Sequence, residues 1–392
     1  MNIHKLTSST IADGTMAARI LKIVMVDSHS TIERGGAIQC ATLASGLARR
    51  GHQITCIFDG KQGKFFKGGM FKQLQSVGVN IIAMPLNNPI GMLNFRHFLN
   101  SEQPDIIHTH KNRALFFVYF ATLGMDRPPW IANRGTVYPL SRNRIAHYIH
   151  KRHLDCIMAV SRAVRNSLLK DHISEEKTKV VYGSFDRLRF HSQVDRTLMR
   201  RKWMISENTI VIGLIGSLNT PKKGHPVFLK AGKILIKKIS NIKLVIVGEG
   251  DSKSLQVMAK SLGIADRVLF AGFIENIPTA LAAMDVVVCS SLRGEGLTGA
   301  IREAMAMKRP VVSSDVAGNS ELVIHDETGL LVPPGDPTAL AKAIEKIIIK
   351  PQLAKKRADK GYEKVTALCA EPVRLSEVEK IYYSVLHSCL NN

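Results

Sequence analysis

At about 150 residues per domain, 392 residues make roughly two and a half domains. A hydrophobic fraction of 45% with 22% charged residues is ordinary globular composition, which excludes disorder, a collagen-like repeat and a small stapled scaffold. The 54 Lys and Arg outnumber the 32 Asp and Glu, and residues 1–190 carry more of the excess (26 basic, 12 acidic), so an anionic partner is expected: nucleic acid, phospholipid headgroups or a phosphorylated substrate.

Residues 1–18 are polar and are expected to be mobile; they lack the apolar core of a signal peptide. Arg19–Ser28 then reads as a buried strand and Gly36–Arg50 as a helix with Ile38, Leu43 and Leu47 on one face. Strands follow at Gln53–Phe58, Asn80–Met84, Asp105–His110, Trp130–Asn133, Cys156–Val160 and Lys179–Tyr182, with helical stretches between most of them. The polar, basic stretch His191–Lys202 interrupts this rhythm. It restarts with strands at Thr209–Ser217, Asn241–Gly248, Arg267–Ala271, Asp285–Ser290 and Pro310–Ser313, and helices at about 225–238, 252–262, 299–307 and 337–348. A last helix, Arg374–Leu390, shows an apolar stripe of Ile381, Tyr382, Val385 and Leu386. Near-continuous apolar strands alternating with helices imply parallel sheets covered on both faces. The expected domains are 1–190 and 200–371, with 372–392 joined to the first. The longest apolar run, Ala114–Met125, is about a dozen residues against roughly 20 for a membrane span, so membrane contact is expected to be peripheral. The six cysteines form no C-x-x-C pair and read as reduced thiols.

The most informative segment is Ser290–Val312. A strand ends at Ser290, a loop follows with Gly294, Gly296 and Gly299, and a helix begins. Bare amides and the positive end of a helix dipole make this arrangement an anion site. Glu295 lies in the loop and Glu303 one turn into the helix. Taken alone, the pattern fits a plain βα turn with a solvated glutamate equally well. Lys222 and Lys223 lie between a strand and a helix, as a preplaced cation or as a solvated turn. His110 ends a strand at the carboxyl edge where α/β folds place ligands, and His108 shares its face. No third ligand of suitable spacing makes these two a metal pair, and one core and one edge histidine is the simpler reading. Arg127–Leu154 holds Arg134, Arg142, Arg144, Lys151 and Arg152 and no acid. Ile145, Tyr148 and Ile149 give the stretch 141–153 an apolar side, which reads as a basic amphipathic helix or as a solvated charged face.

Glu295 and Glu303 form E-x7-E, followed by A-M-A and P-V-V. This resembles the signature of retaining glycosyltransferases of family 4, and in particular bacterial lipopolysaccharide and exopolysaccharide enzymes. Further segments in the same order carry the resemblance: Gly35-Gly36, Pro104–His110 (PDIIHTH), Ala159-Val160-Ser161, Val180–Asp186 (VVYGSFD), Lys223-Gly224, Val247–Asp251 (VGEGD), Phe270–Phe273 (FAGF) and Thr328–Pro334 (TGLLVPP). It implies the GT-B fold, two Rossmann-like α/β domains facing across a cleft, the first for the acceptor and the second for a nucleotide sugar. It implies that Glu303 holds the ribose and Glu295 the transferred sugar. Gly296, Leu297 and Thr298 receive the diphosphate and sugar through their backbone, and Lys223 neutralises the diphosphate. Gly35, Gly36, Ser217 and Lys222 line the donor site and His110 lies near the sugar. The chain departs from the pattern twice. Gly183-Ser184 replaces Asn-Gly, and Ser217 stands where the family has an arginine that donates to the diphosphate. A serine supplies no fixed cation, and Lys222 or Arg293 is the expected substitute.

The implied reaction moves a sugar, with retention, from a nucleotide-diphosphate donor to a hydroxyl of a glycolipid or cell-surface polysaccharide precursor, lipopolysaccharide core first among them. The leaving diphosphate takes the acceptor proton. The chain has no Asp-x-Asp clamp, so no metal or other cofactor is expected. The basic stretch 127–154 suits an anionic acceptor and peripheral association with the inner leaflet of the cytoplasmic membrane, from a cytoplasmic protein. No recognition helix or stacking motif accompanies the charge, so no specific nucleic acid partner is expected. Two alternatives share the architecture: a sugar-nucleotide 2-epimerase, and a catalytically weak homologue that serves as a binding partner.

Overall fold

The computed structural model describes residues 19–29, 35–60 and 69–390; the expectation for residues 1–18 lies outside this range. Seven strands, β1 (Lys22–Asp27), β2 (Gln53–Asp59), β3 (Asn80–Met84), β4 (Ile106–His110), β5 (Trp130–Arg134), β6 (Cys156–Ala159) and β7 (Thr178–Val180), form a sheet of order β3-β2-β1-β4-β5-β6-β7. Six more, β8 (Ile210–Ile215), β9 (Ile242–Val247), β10 (Val268–Gly272), β11 (Val286–Cys289), β12 (Val311–Ser314) and β13 (Leu330–Val332), form a second of order β10-β9-β8-β11-β12-β13. Pairing in both is parallel. In each sheet the strand order reverses once, between β1 and β4 and between β8 and β11. The carboxyl ends flanking such a reversal open a crevice for ligands.

The apolar runs read as strands do become strands because helices bury both of their faces. One face of the first sheet packs on the helix Gly35–Arg49, through Leu43 and Leu47, and on the C-terminal helix Glu371–Leu390, through Leu375, Val378 and Tyr382. The other packs on Phe95, Leu99, Phe117, Val118 and Ile149. The C-terminal helix is tied to the first lobe by ion pairs Arg49–Glu371 and Arg50–Glu379, and by Tyr382 Oη paired with His108 Nδ1 at 2.7 Å.

Two elements differ from the sequence reading. The basic stretch 191–202 is part of the second lobe. It contains the helix Thr197–Lys202, and Met199 and Trp203 enter the second core. Arg200 is fully buried there, donating to the carbonyls of Ala283, Ser206, Glu207 and Thr209 and to Asp285. The helix Pro351–Cys369 was not read at all. Its buried stripe is mostly small residues, Ala354, Ala358, Gly361, Val365 and Cys369, which raise little apolar signal.

Close main-chain approaches and a bridging carboxylate are among the contacts that join the lobes. A Cβ on Gly296 would lie 2.3 Å from Gly135 O, and one on Gly318 would lie 2.9 Å from the Ser161 side chain. Glu321 of the second lobe accepts from the backbone N–H of Arg162 and Ala163, each at 2.9 Å, capping the first-lobe helix Arg162–Lys170. Tyr182 Oη donates to the same carboxylate at 2.8 Å.

Burial pushes His108 down to about 3, with the Arg374 charge adding to it, and His150 down to about 4. Both are neutral in the fold. The unfolded chain protonates them near pH 6.5, so it binds more protons than the native state below that pH, and stability falls as pH drops. The urea midpoint is expected to hold above pH 7 and to decline steadily from pH 6.5 to 4. His150→Gln should make that decline shallower.

Candidate functional site

The second-lobe half of the cleft is built where two connections meet. After β8 a tight turn, Pro221–Lys223, ends at Gly224. Gly224 has φ +70°, and a Cβ there would lie 1.9 Å from Ser290 O, so only glycine lets the turn rest on the end of β11. Ser290 Oγ donates to Lys223 O at 3.0 Å, and Leu292 N donates to Lys222 O at 2.7 Å. Lys223 Nζ thereby reaches Glu295 Oε1 at 2.9 Å, and Ser291 Oγ donates to the same oxygen at 3.3 Å. Beyond the loop, the helix Gly299–Ala306 carries Glu303. Glu303 is half-buried, and burial raises its carboxyl while Arg302 and Arg189 lower it.

The structure brings Lys223, Glu295, Gly296, Leu297 and Glu303 to this one loop and helix start. The amides of Gly296 and Leu297 make no hydrogen bond among the described residues. The Thr298 N–H donates to Asn319 Oδ1 at 3.2 Å. Lys222 is also committed: its Nζ donates to Gly294 O at 3.4 Å and stands 5.7 Å from the Tyr138 ring, bracing the loop against the first lobe. Arg293 is exposed. Ser217 is half-buried, with its hydroxyl 3.5 Å from Glu249 O.

On the first-lobe side His110 ends β4, buried, 3.4 Å from Asn133 Nδ2, with no partner at Nε2 among the described residues. Burial pushes it well below its ordinary value, with His108, Arg374 and His29 adding to the shift, so it is neutral. The sequence reading missed Asp27 and His29. Asp27 Oδ1 accepts from His29 N–H at 3.0 Å and lies 2.6 Å from His29 Nδ1, while Oδ2 is buried without a partner among the described residues. A D-x-H at the carboxyl end of a strand was the available signal. Gly36 leaves room for that ring, since a Cβ there would lie 2.8 Å from His29 Cε1; Gly35 faces open space.

The basic segment divides. Arg134 needs a correction: it is buried and not on the surface, it donates to Tyr138 O and Asn112 Oδ1, and burial lowers its pKa. Arg142, Arg144, Lys151 and Arg152 are exposed. On the helix Arg144–Arg152, Ile149 turns into the core while Ile145 (52%) and Tyr148 (51%) stay exposed.

Residues 34–187 match the Glycosyltransferase Family 4 and residues 209–350 the Glycosyl transferases group 1. Over 210 residues the chain is 30% identical to the Bacillus subtilis putative glycosyltransferase EpsD, spanning 53% of this chain and 54% of that one. It is 25% identical to the Bacillus anthracis N-acetyl-alpha-D-glucosaminyl L-malate synthase, across 91% and 96% of the two chains. It is 34% identical to the Rhizobium meliloti lipopolysaccharide core biosynthesis glycosyltransferase LpsE, over 36% of this chain and 41% of that one. Anabaena HepE in complex with UDP and glucose superposes with a TM-score of 0.82 at 22% identity, covering 93% of this chain and all of that one (100%). The chain belongs to the family 4 glycosyltransferases: it is a transferase with the two-lobed GT-B fold.

Arg134 and Arg144 should separate in experiment. Arg134→Ala leaves buried carbonyl and amide groups unpaired and is expected to cost about 1–3 kcal/mol in denaturant unfolding. Arg144→Ala is expected to change stability by less than about 0.5 kcal/mol.

Proposed function

We propose that this enzyme transfers a sugar, with retention, from a nucleotide-diphosphate donor held by the second lobe to a hydroxyl of an acceptor held by the first. The observation that carries the reading is the Lys223–Glu295 pair beside the unengaged amides of Gly296 and Leu297, at the start of the helix that bears Glu303. Glu303 accepts from the ribose hydroxyls, Glu295 accepts from the transferred sugar, and Lys223 with the two amides holds the diphosphate.

As the bond from the anomeric carbon to the phosphate oxygen breaks, the diphosphate gains negative charge, which the fixed ammonium and amides stabilise. The acceptor oxygen bonds to the same face of that carbon, and its proton passes to the leaving diphosphate. Neutral His110 lies at the first-lobe edge of the cleft and contributes positioning. Holding both partners in one closed cleft supplies orientation and limits donor hydrolysis. No metal takes part in this scheme. HepE, whose complexes contain UDP with glucose and UDP-glucose, supports a nucleotide sugar as donor.

The acceptor we propose is an anionic glycolipid or polysaccharide precursor, with lipopolysaccharide core first. LpsE supports that class, and so does the surface. Arg142, Arg144, Lys151 and Arg152 surround half-exposed Ile145 and Tyr148. The neighbouring helix Asn112–Ala121 adds Phe120, exposed by 43%. Basic residues at an anionic membrane contribute about 1 kcal/mol each, enough for reversible docking on the inner leaflet. No helix among the described residues is long and apolar enough to cross a membrane.

A thermal-shift panel of UDP-, GDP- and ADP-sugars tests the donor. One nucleotide class is expected to raise the melting temperature, and no shift with any would overturn the reading. In the presence of that donor, Lys223→Ala is expected to lower kcat about a hundred- to a thousand-fold, and Glu303→Ala to raise the donor KM; near-wild-type kinetics would dismiss both roles. For the surface, combined alanines at Arg144, Lys151 and Arg152 are expected to abolish co-sedimentation with phosphatidylglycerol vesicles while leaving donor binding intact.

A further inference from the structure

Arg302 is 4% exposed, in the first turn of the helix Gly299–Ala306. A guanidinium carries five N–H donors, yet this one makes no hydrogen bond among the described residues, and its Nε is sealed without a partner. The one carboxylate within 4 Å, Glu303, keeps its Oε1 at 3.7 Å from Nη2. Burying a cation without partners is costly. Its place compounds the cost, because the start of a helix favours anions and opposes cations. Arg374 of the C-terminal helix lies close enough to feel the charge: burial first, and Arg302 next, push it down to about 10. Two buried cations thus lie near each other, with Glu303 the carboxylate beside Arg302 and Glu371 the one acting on Arg374.

Glycines make the room for this side chain. A Cβ on Gly299 would lie 3.5 Å from Arg302 Nη2, and one on Gly183, across the cleft in the first lobe, 2.8 Å from Nη1. Gly183 and Ser217 are among the positions where the chain departs from the pattern it resembles. An asparagine at 183 would crowd the guanidinium, and an arginine at 217 would make it redundant. The two expected substitutes are elsewhere engaged, Lys222 with Gly294 O and Tyr138, and Arg293 with solvent.

We propose that Arg302 is the second cation of the donor site, donating to the diphosphate of the nucleotide sugar in place of the arginine missing at 217. The inference rests on the nucleotide-sugar reading of the cleft. A guanidinium meets two phosphate oxygens with paired N–H groups, and it sits beside the same helix start as the Gly296 and Leu297 amides. Glu303, one residue on, holds the ribose and flanks the guanidinium.

The test uses Arg302→Leu and Arg302→Lys in the full chain, titrated calorimetrically with UDP, GDP and ADP and with the matching nucleosides. The nucleoside diphosphate that binds wild type is expected to lose at least about tenfold in affinity in Arg302→Leu, with partial recovery in Arg302→Lys. Nucleoside affinity should be unchanged, and the ligand-free melting temperature of Arg302→Leu should stay level or rise, because an unpaired buried charge has gone. Unchanged diphosphate affinity with a raised acceptor KM overturns the proposal and assigns Arg302 to an anionic group of the acceptor. A ligand-free melting temperature that falls in Arg302→Leu, with diphosphate affinity intact in the folded fraction and in Arg302→Lys, overturns it in favour of a structural role. A wild-type chain that binds none of the three diphosphates overturns the nucleotide-sugar reading itself, and the role of Arg302 with it.

Discussion

The turn Pro221–Gly224 and the loop 290–298 lie against each other, and the second-lobe side of the cleft depends on that seam. Gly224 permits the approach, Ser290 and Leu292 stitch the two backbones, and only then does Lys223 reach Glu295. The pair is partly shielded, with side-chain exposures of 21% and 10%. A shielded ion pair is poor evidence for stability, since desolvation offsets much of its attraction. Its value here is positional. It fixes an ammonium and a carboxylate at one spot before any ligand arrives, so neither needs to reorganise as charge develops.

Most of the fold was legible because parallel strands buried on both faces read as unbroken apolar runs. Strands from β1 to β12 fall within a few residues of the segments read as strands. What escaped lacked that signal. β13 is three residues long, and the helix Pro351–Cys369 packs with alanine, glycine and cysteine. Arg200 escaped for the opposite reason: a basic residue in a basic stretch reads as solvated, and only the acceptors gathered from the turn that follows it and from the remote Ala283 and Asp285 make it a core residue.

The same contrast runs through the site. The glycine loop and its two glutamates were visible as a local pattern. Whether a given amide or cation in it is available was not, because that depends on contacts remote in sequence. Asn319 takes the Thr298 N–H, Tyr138 and Gly294 take Lys222, and Tyr138 and Asn112 take Arg134. Arg302 went unremarked beside Glu303 because its isolation is a fact about the space around it, which no spacing rule encodes.

Ser161 caps the helix Arg162–Lys170 from its own segment at the Val164 N–H, and Glu321 of the other lobe takes the two amides ahead of it. Separating the lobes therefore uncovers two peptide donors and the Tyr182 hydroxyl at once, and water must fill each position as the carboxylate withdraws. Any parting of the halves is thereby coupled to the hydration of these three donors, at a contact far from the glycine loop in sequence.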